Sequence, residues 1–479
     1  MDFGEVIGEV ELEDIIKNLR AFKLTEYGSK TTEGSINWWT QHERIQRLNV
    51  RAHQDVVAKR EELVTRYFVH ESSGYRKLGV LIRELTAAAM VRAHVLSSTS
   101  EAIGKELASL PVTRIYLLLY HELCLANLLE AVLDDQSAFD ALEKTDLISL
   151  ADWAVAQVQW LASGTIEWDD NDFLHGKRST TGDSGLDAKL YPSEPPRVQL
   201  ARMVKETRFE CAMCALSALR YLATAMSQPA QFELKRHLMA ECHLLSLVRP
   251  LVEKKPWRRE MTFKGQSKAY EHFQAGQWTE LRAVQRQEVT LPEVQAWLVL
   301  WAIAASQWFN EGNMTERDRE ELVYIGKSLL TPRVIQKIEA MRDVKTQLTA
   351  LEMQSNLPQA KPRDSFFQIH EIDVMTARKA LLEEFEEELG PFTAEKLAAK
   401  VEANLKAISH NDDLKALGQL YGGEDFSSVA EVDRCACCGS TEGISGKLLR
   451  CSRCKKVMYC SRECQKADWK KHKLVCAKV

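Results

Sequence analysis

The chain has 479 residues, 45% of them hydrophobic and 27% charged, and a formal net charge of −5. That length and balance exclude a disordered or fibrous polymer and permit a core that folds without disulfide staples. The charge is unevenly shared: residues 434–479 hold twelve Lys or Arg against three Asp or Glu, a surplus of nine, so the remainder carries −14.

Few prolines and glycines, with abundant Leu, Ala, Glu and Lys, favour helix over sheet. The opening "MDFGEVIGEVELEDI" is acidic and lacks the charged-then-apolar pattern of a secretory leader. A reducing compartment is therefore expected, where clustered cysteines bind metal more often than they form disulfides. The longest apolar run, "AWLVLWAIAA" (296–305), is half of the roughly 20 residues a bilayer needs. It reads as a buried helix, and no transmembrane segment is expected.

Residues 12–163 read as successive amphipathic helices. "PVTRIYLLLYHELCLANLLEAVL" (111–133) keeps Ile115, Leu118, Leu119, Leu123 and Leu125 at three- and four-residue spacing. "DLISLADWAVAQVQWLAS" (146–163) repeats the pattern, with Asp146 as its expected N-cap. Residues 164–194 are polar and aperiodic and read as a long mobile surface loop. One long helix is predicted over 195–226, with proline in its first turn. Gly265, Gly276 and the aromatics between 256 and 281 predict a short hairpin or ordered loop. Helices resume over 292–353; 357–365 is a linker; a helical pair follows over about 369–420. Its acidic run "EEFEEELG" (383–390) reads as a solvated face. Many helices without a fixed repeat predict an all-α stack, an armadillo-like solenoid, as a scaffold over 1–430.

The C-terminus differs. From Cys435 the candidate ligands run C-x2-C-x12-C-x2-C-x5-C-x3-C-x7-H-x3-C, using Cys435, Cys438, Cys451, Cys454, Cys460, Cys464, His472 and Cys476. Eight such donors make two tetrahedral Zn²⁺ sites. A segment of 435–476, so rich in Lys and Arg, cannot bury enough apolar area to fold unaided. Seven thiolates and two zinc ions leave the tail near +6. Cys437 is an extra thiol that could replace Cys438; the two-residue gap is preferred, because adjacent cysteines reach one ion poorly. Spacing alone leaves sequential and interleaved pairing both open.

"RCSRCKKVMYCSRECQKADWKKHKLVC", with the preceding C-x2-C, resembles the MYND zinc finger. The resemblance implies interleaved pairing, with Cys435, Cys438, Cys460 and Cys464 on one zinc and Cys451, Cys454, His472 and Cys476 on the other. The gap from 438 to 451 is longer than usual in that family. MYND fingers grip short, often proline-rich peptides, and Gln465 and Trp469 match the positions that do so. The residues agree: four apart on one helix face, an exposed Trp beside an amide can stack a proline. The alternative is that Trp469 is the finger's core aromatic.

Beyond the finger, "NWWTQHERIQRLNVRAHQD" (37–55), "RFECAMCALSALRYLATAM" (208–226), "HLLSLVRPLVEKKPWRRE" (243–260) and "FQAGQW" (273–278) occur in an order similar to MYND-finger factors for axonemal dynein assembly. That resemblance implies a non-enzymatic cytoplasmic co-chaperone, concentrated near the centrosome and centriolar satellites of ciliated cells. Its implied partners are a leucine-rich-repeat assembly factor, the heat-shock chaperone machinery and dynein chains as clients. The alternative is a transcriptional cofactor docking corepressors. No SET-domain core accompanies the finger. The basic face (Lys455, Lys456, Arg462, Lys466, Lys470, Lys471, Lys473) lacks a groove-reading motif, so specific nucleic-acid binding is not expected. Cys211 and Cys214, and Cys242 beside His243, read as core packing.

Overall fold

The structure, a computed structural model, describes residues 7–30, 36–71, 76–96, 112–168, 196–261, 269–274, 276–281, 286–353, 376–407, 449–451, 454 and 457–473. The chain divides into two compact units, residues 6–408 and a second holding 409–479. The expected scaffold end at 430 and the linker 357–365 lie outside the described residues, as does most of the loop 164–194.

The larger unit is a helical stack, with helices α1 (Glu9–Lys17), α2 (Trp38–Val57), α3 (Leu63–Val69), α4 (Lys77–Val91), α5 (Val112–Val132), α6 (Lys144–Ser163), α7 (Pro196–Ala225), α8 (Phe232–Arg236) and α9 (Leu245–Lys254). Strands β1 (Arg258–Met261), β2 (Ala269–Gln274) and β3 (Gln277–Glu280) follow, then α10 (Leu291–Ala305), α11 (Glu316–Tyr324), a short helix Pro332–Lys337, α12 (Met341–Met353), α13 (Thr376–Leu389) and α14 (Ala394–Lys406). At the centre, the 30-residue α7 packs on α5, α6 and α10. Its Phe209, Cys211, Ala215, Leu219 and Leu222 are buried at helical spacing in one continuous core with α5 and α6. Within α5, Arg114–Val132 is long and apolar enough to cross a membrane, and 78% of its most apolar window is buried against neighbouring helices. Burial in the core accounts for that apolarity.

Three local expectations change. The N-cap of α6 is Glu143, and Asp146 sits in the first turn. Its carboxylate lies against α4, where a Cβ on Gly79 would come 2.5 Å from Oδ2; only glycine leaves room for that approach. Of the expected surface loop, Ile166 and Trp168 instead pack on the core. The segment 256–281 is a three-stranded antiparallel meander in the order β1-β2-β3, with Arg258 opposite His272 and Phe273 opposite Trp278. Gly276 turns β2 into β3 with φ 75°, in the left-handed region that favours glycine. Phe209, Phe273, Trp278 and Trp168 form an edge-to-face and stacked cluster, capped by the Arg259 guanidinium 3.9 Å from the Trp278 ring.

The acidic run of α13 is only in part a solvated face. Leu381 and Phe385 are fully buried, while Glu384 pairs with Arg83 at 2.6 Å and Glu388 with Lys23 at 2.5 Å. Helix α14 returns to the same N-terminal region. Buried Asn404 donates to the carbonyls of Thr25 at 3.1 Å and Tyr27 at 2.8 Å, and Arg114 donates to Leu405 O at 2.8 Å. Open repeat arrays contact only neighbouring repeats. Here the last described helices of the stack pack on its first third, through α4, α6 and the turn Leu24–Glu26.

A polar cluster is buried inside that closure. Asn37 caps α2 by accepting from Thr40 N at 2.9 Å, and Trp38 stacks on His42 with ring centroids 5.4 Å apart. His42 Nδ1 meets His121 Nδ1 at 2.9 Å, and His121 Nε2 faces Glu84 Oε2 at 3.5 Å. Glu84 Oε1 accepts from Phe22 N at 2.8 Å. Burial pushes the Glu84 carboxyl up to about 8 and His121 down to about 3, and holds His42 well below the ordinary imidazole value. All three are therefore neutral near pH 7. A protonated Glu84 facing His121 leaves His121 Nδ1–H to donate to His42, a consistent chain of single protons. The next residue of α5, Glu122, makes a bidentate pair with Arg92 at 2.6 and 3.0 Å, both side chains buried.

Candidate metal centre

In the second unit, strands β4 (Leu449–Arg450) and β5 (Met458–Tyr459) pair antiparallel and lead into helix α15 (Arg462–His472). The loop between the strands is pinned by Cys451 N donating to Val457 O at 2.8 Å. This tight knuckle turns Cys451 and Cys454 inward, 1% and 3% exposed. The far end of α15 supplies buried His472, whose Nε2 lies 3.4 Å from the Sγ of Cys451 and 3.4 Å from that of Cys454. The three ligand atoms lie within 4.8 Å of one another. Two thiols and an imidazole, buried and facing a common point, fit a zinc ion and little else.

The other described pair stands at the start of α15. Cys460 and Cys464 bring their sulfurs to 3.4 Å, and Ser461 Oγ accepts from Cys464 N at 3.2 Å to cap the helix. Four-residue spacing across the first turn puts both thiols on one side. The grouping is thus Cys451, Cys454 and His472 together and Cys460 with Cys464, as interleaved pairing requires; sequential pairing would join His472 to Cys460 and Cys464. Cys435, Cys438, Cys476 and the extra thiol Cys437 lie outside the described residues.

Between the two groups sits Tyr459, fully buried, its hydroxyl donating to Asp468 Oδ2 at 2.8 Å. Burial and then that carboxylate raise the Tyr459 hydroxyl above its ordinary value, so it stays protonated. Tyr459 takes the central aromatic place. Trp469 keeps 36% of its surface exposed, with its ring 5.9 Å from that of His472, and Gln465 is half-buried one turn earlier.

Residues 435–476 match the family model described as "MYND finger". The chain is 24% identical to the zinc finger MYND domain-containing protein 10 homolog of Drosophila melanogaster, over 97% of both chains. The chain carries a MYND finger and is similar to that protein along nearly its whole length. Other similarities are short. Egl nine homolog 1 of Homo sapiens is 53% identical over 57 residues, 12% of each chain. The N-lysine methyltransferase SMYD2 of Rattus norvegicus is 48% identical over 46 residues, 9% of this chain and 10% of its own. The similarity to methyltransferases runs through the finger alone, so their catalytic domains have no counterpart in the match. No solved structure matches. The MYND finger implies zinc binding and supports a protein-interaction adaptor.

The helical unit's sulfurs behave differently. Cys124, Cys211 and Cys214 are buried in the core, and Cys214 Sγ donates to Asn127 Oδ1 at 2.9 Å. Burial raises all three thiols, which removes them as nucleophiles at neutral pH. What the sequence reading missed is the neutral chain Glu84–His121–His42. Its only local signal is a histidine at each of two apolar helix faces, and the residues are brought together over separations of 37 and 79 positions.

Proposed function

We propose that the protein is a non-enzymatic cytoplasmic adaptor for the pre-assembly of axonemal dynein arms, working with a leucine-rich-repeat assembly factor and the heat-shock chaperone machinery. The observation that carries this reading is the match to a MYND-finger protein along 97% of both chains, which includes the scaffold as well as the finger. The finger holds two zinc ions, one on Cys435, Cys438, Cys460 and Cys464 and one on Cys451, Cys454, His472 and Cys476. Its half-exposed pair Gln465 and Trp469 grips a proline-containing segment of a partner. The acidic scaffold, −14 against a basic tail, gives partners a second surface of opposite sign.

Affinity capture from ciliated cells tests this, comparing the full chain with a 1–430 truncation. Dynein chains and chaperones should be recovered with the full chain, and partners lost on truncation belong to the finger. Recovery of nuclear corepressor subunits alone, with nuclear residence of a fluorescent fusion, overturns it in favour of a transcriptional cofactor.

A further inference from the structure

Among the described residues, one cluster of metal-ligating side chains lies outside the finger. Buried His237 opens a π-helical turn, His237–Glu241, that continues α8. Cys242 N closes it by donating to His237 O at 2.9 Å, a bond between residues five apart. In an α-helix such residues diverge by about 140° around the axis. The wider turn brings them onto one side, and Cys242 Sγ stands 3.4 Å from His237 Nε2. From α6, Asp152 places Oδ1 2.8 Å from the same nitrogen. The three ligand atoms lie within 4.8 Å of one another, and Asp152 Oδ2 is buried with no hydrogen-bond partner. The second imidazole nitrogen, Nδ1, is held by Glu241 at 2.9 Å. A carboxylate in that position fixes the ring of a metal-binding histidine. The sulfur–nitrogen separation is the one seen in the finger, where His472 stands 3.4 Å from Cys451 and Cys454.

We propose that Asp152, His237 and Cys242 bind a further zinc ion, with Glu241 orienting the imidazole. Tetrahedral bonds to zinc put a nitrogen and a sulfur ligand about 3.5 Å apart, close to the observed distance, and require Asp152 to withdraw from the ring by about half an ångström. One thiolate, one imidazole and one carboxylate are a donor set for a borderline-soft ion and a poor one for calcium or magnesium. Asp152 and Cys242 are half-exposed, which leaves an entry path and a fourth position for water. The ion would tie the five-residue α8 and its π turn to α6. His243, the neighbour that the sequence pairs with Cys242, takes no part: it is exposed, with φ 51°.

The test is a zinc count by mass spectrometry on the full-length protein and on Cys242→Ser, with helical content checked by circular dichroism. The substitution should remove about one zinc per chain, and Asp152→Asn should weaken retention of the same ion against a chelator. Cys454→Ser should lose metal from the finger and keep this ion. Equal zinc content in the wild type and Cys242→Ser, both folded, overturns the proposal, and the same atoms then form only a metal-free ion-pair cluster. Cys242→Ser at a half-exposed position keeps the question decidable if His237→Asn fails to fold.

Discussion

The helical unit and the finger hold themselves together in opposite ways. In the helical unit, Trp38, Trp257, Trp297, Phe68, Phe139 and Phe209 are among many large side chains buried almost completely. In the finger, the described buried core is Cys451, Cys454 and Tyr459. One unit gains its stability from apolar area; the other has too little area and substitutes metal bonds. Size sets the difference: a few dozen residues leave most of their surface in water, whereas four hundred enclose a continuous interior. The charge split follows. Cationic side chains can crowd a finger whose interior is sulfur and imidazole, but each charge buried in the helical unit needs a dedicated partner, as Arg92 has in Glu122.

The largest expected effect is loss of metal. A structural zinc supplies on the order of 10–16 kcal/mol of apparent binding energy to a peptide of this kind. Cys454→Ser, or a strong chelator, should collapse the finger's amide NMR dispersion and leave the helical circular dichroism nearly unchanged. A cooperative loss of both would erase the contrast between the units. Next, Arg92→Met leaves the Glu122 carboxylate buried without its guanidinium, and should cost about 3–5 kcal/mol by chemical denaturation.

A smaller effect comes from Glu84. The folded chain keeps its proton up to about pH 8, whereas the unfolded chain releases it near the ordinary value of 4.5, so folding binds a proton between those limits. Stability therefore falls as pH rises through that window. His121, held neutral down to about 3 against an ordinary value of 6.5, acts in the opposite sense and loses stability as pH falls below 6.5. Of these two, only the Glu84 effect remains between pH 6.5 and 8, a loss of about 2 kcal/mol. Glu84→Gln should reduce the fall of the denaturation midpoint over that interval, and an unchanged slope would show that another group is responsible for it. Asn404→Ala removes two buried hydrogen bonds to the N-terminal turn and should cost about 1–2 kcal/mol, measured by the shift in melting temperature. Trp469→Ala should weaken peptide capture by about tenfold with the finger's metal content unchanged.

The finger was legible because its chemistry is local: each C-x2-C pair, the C-x3-C pair and the H-x3-C pair are spacings within one turn or knuckle. The long helix over 195–226 was legible for the same reason, since apolar periodicity is a property of one segment. The cap of α6 was not, because the carboxylate of Asp146 lies packed against Gly79 on another helix. Nor was the full role of the acidic run, whose Glu384 and Glu388 find cations more than 300 positions away.

By itself the sequence determined that the chain is helical and that its tail is built around metal, because helix periodicity and ligand spacing are short-range. Only the tertiary structure decided which first-third residues meet α13 and α14, that Glu84, His121 and His42 share one buried site, and that Asp152 stands against His237 and Cys242. Those outcomes depend on which helix faces come together, and a linear pattern carries no term for the partner a face will find.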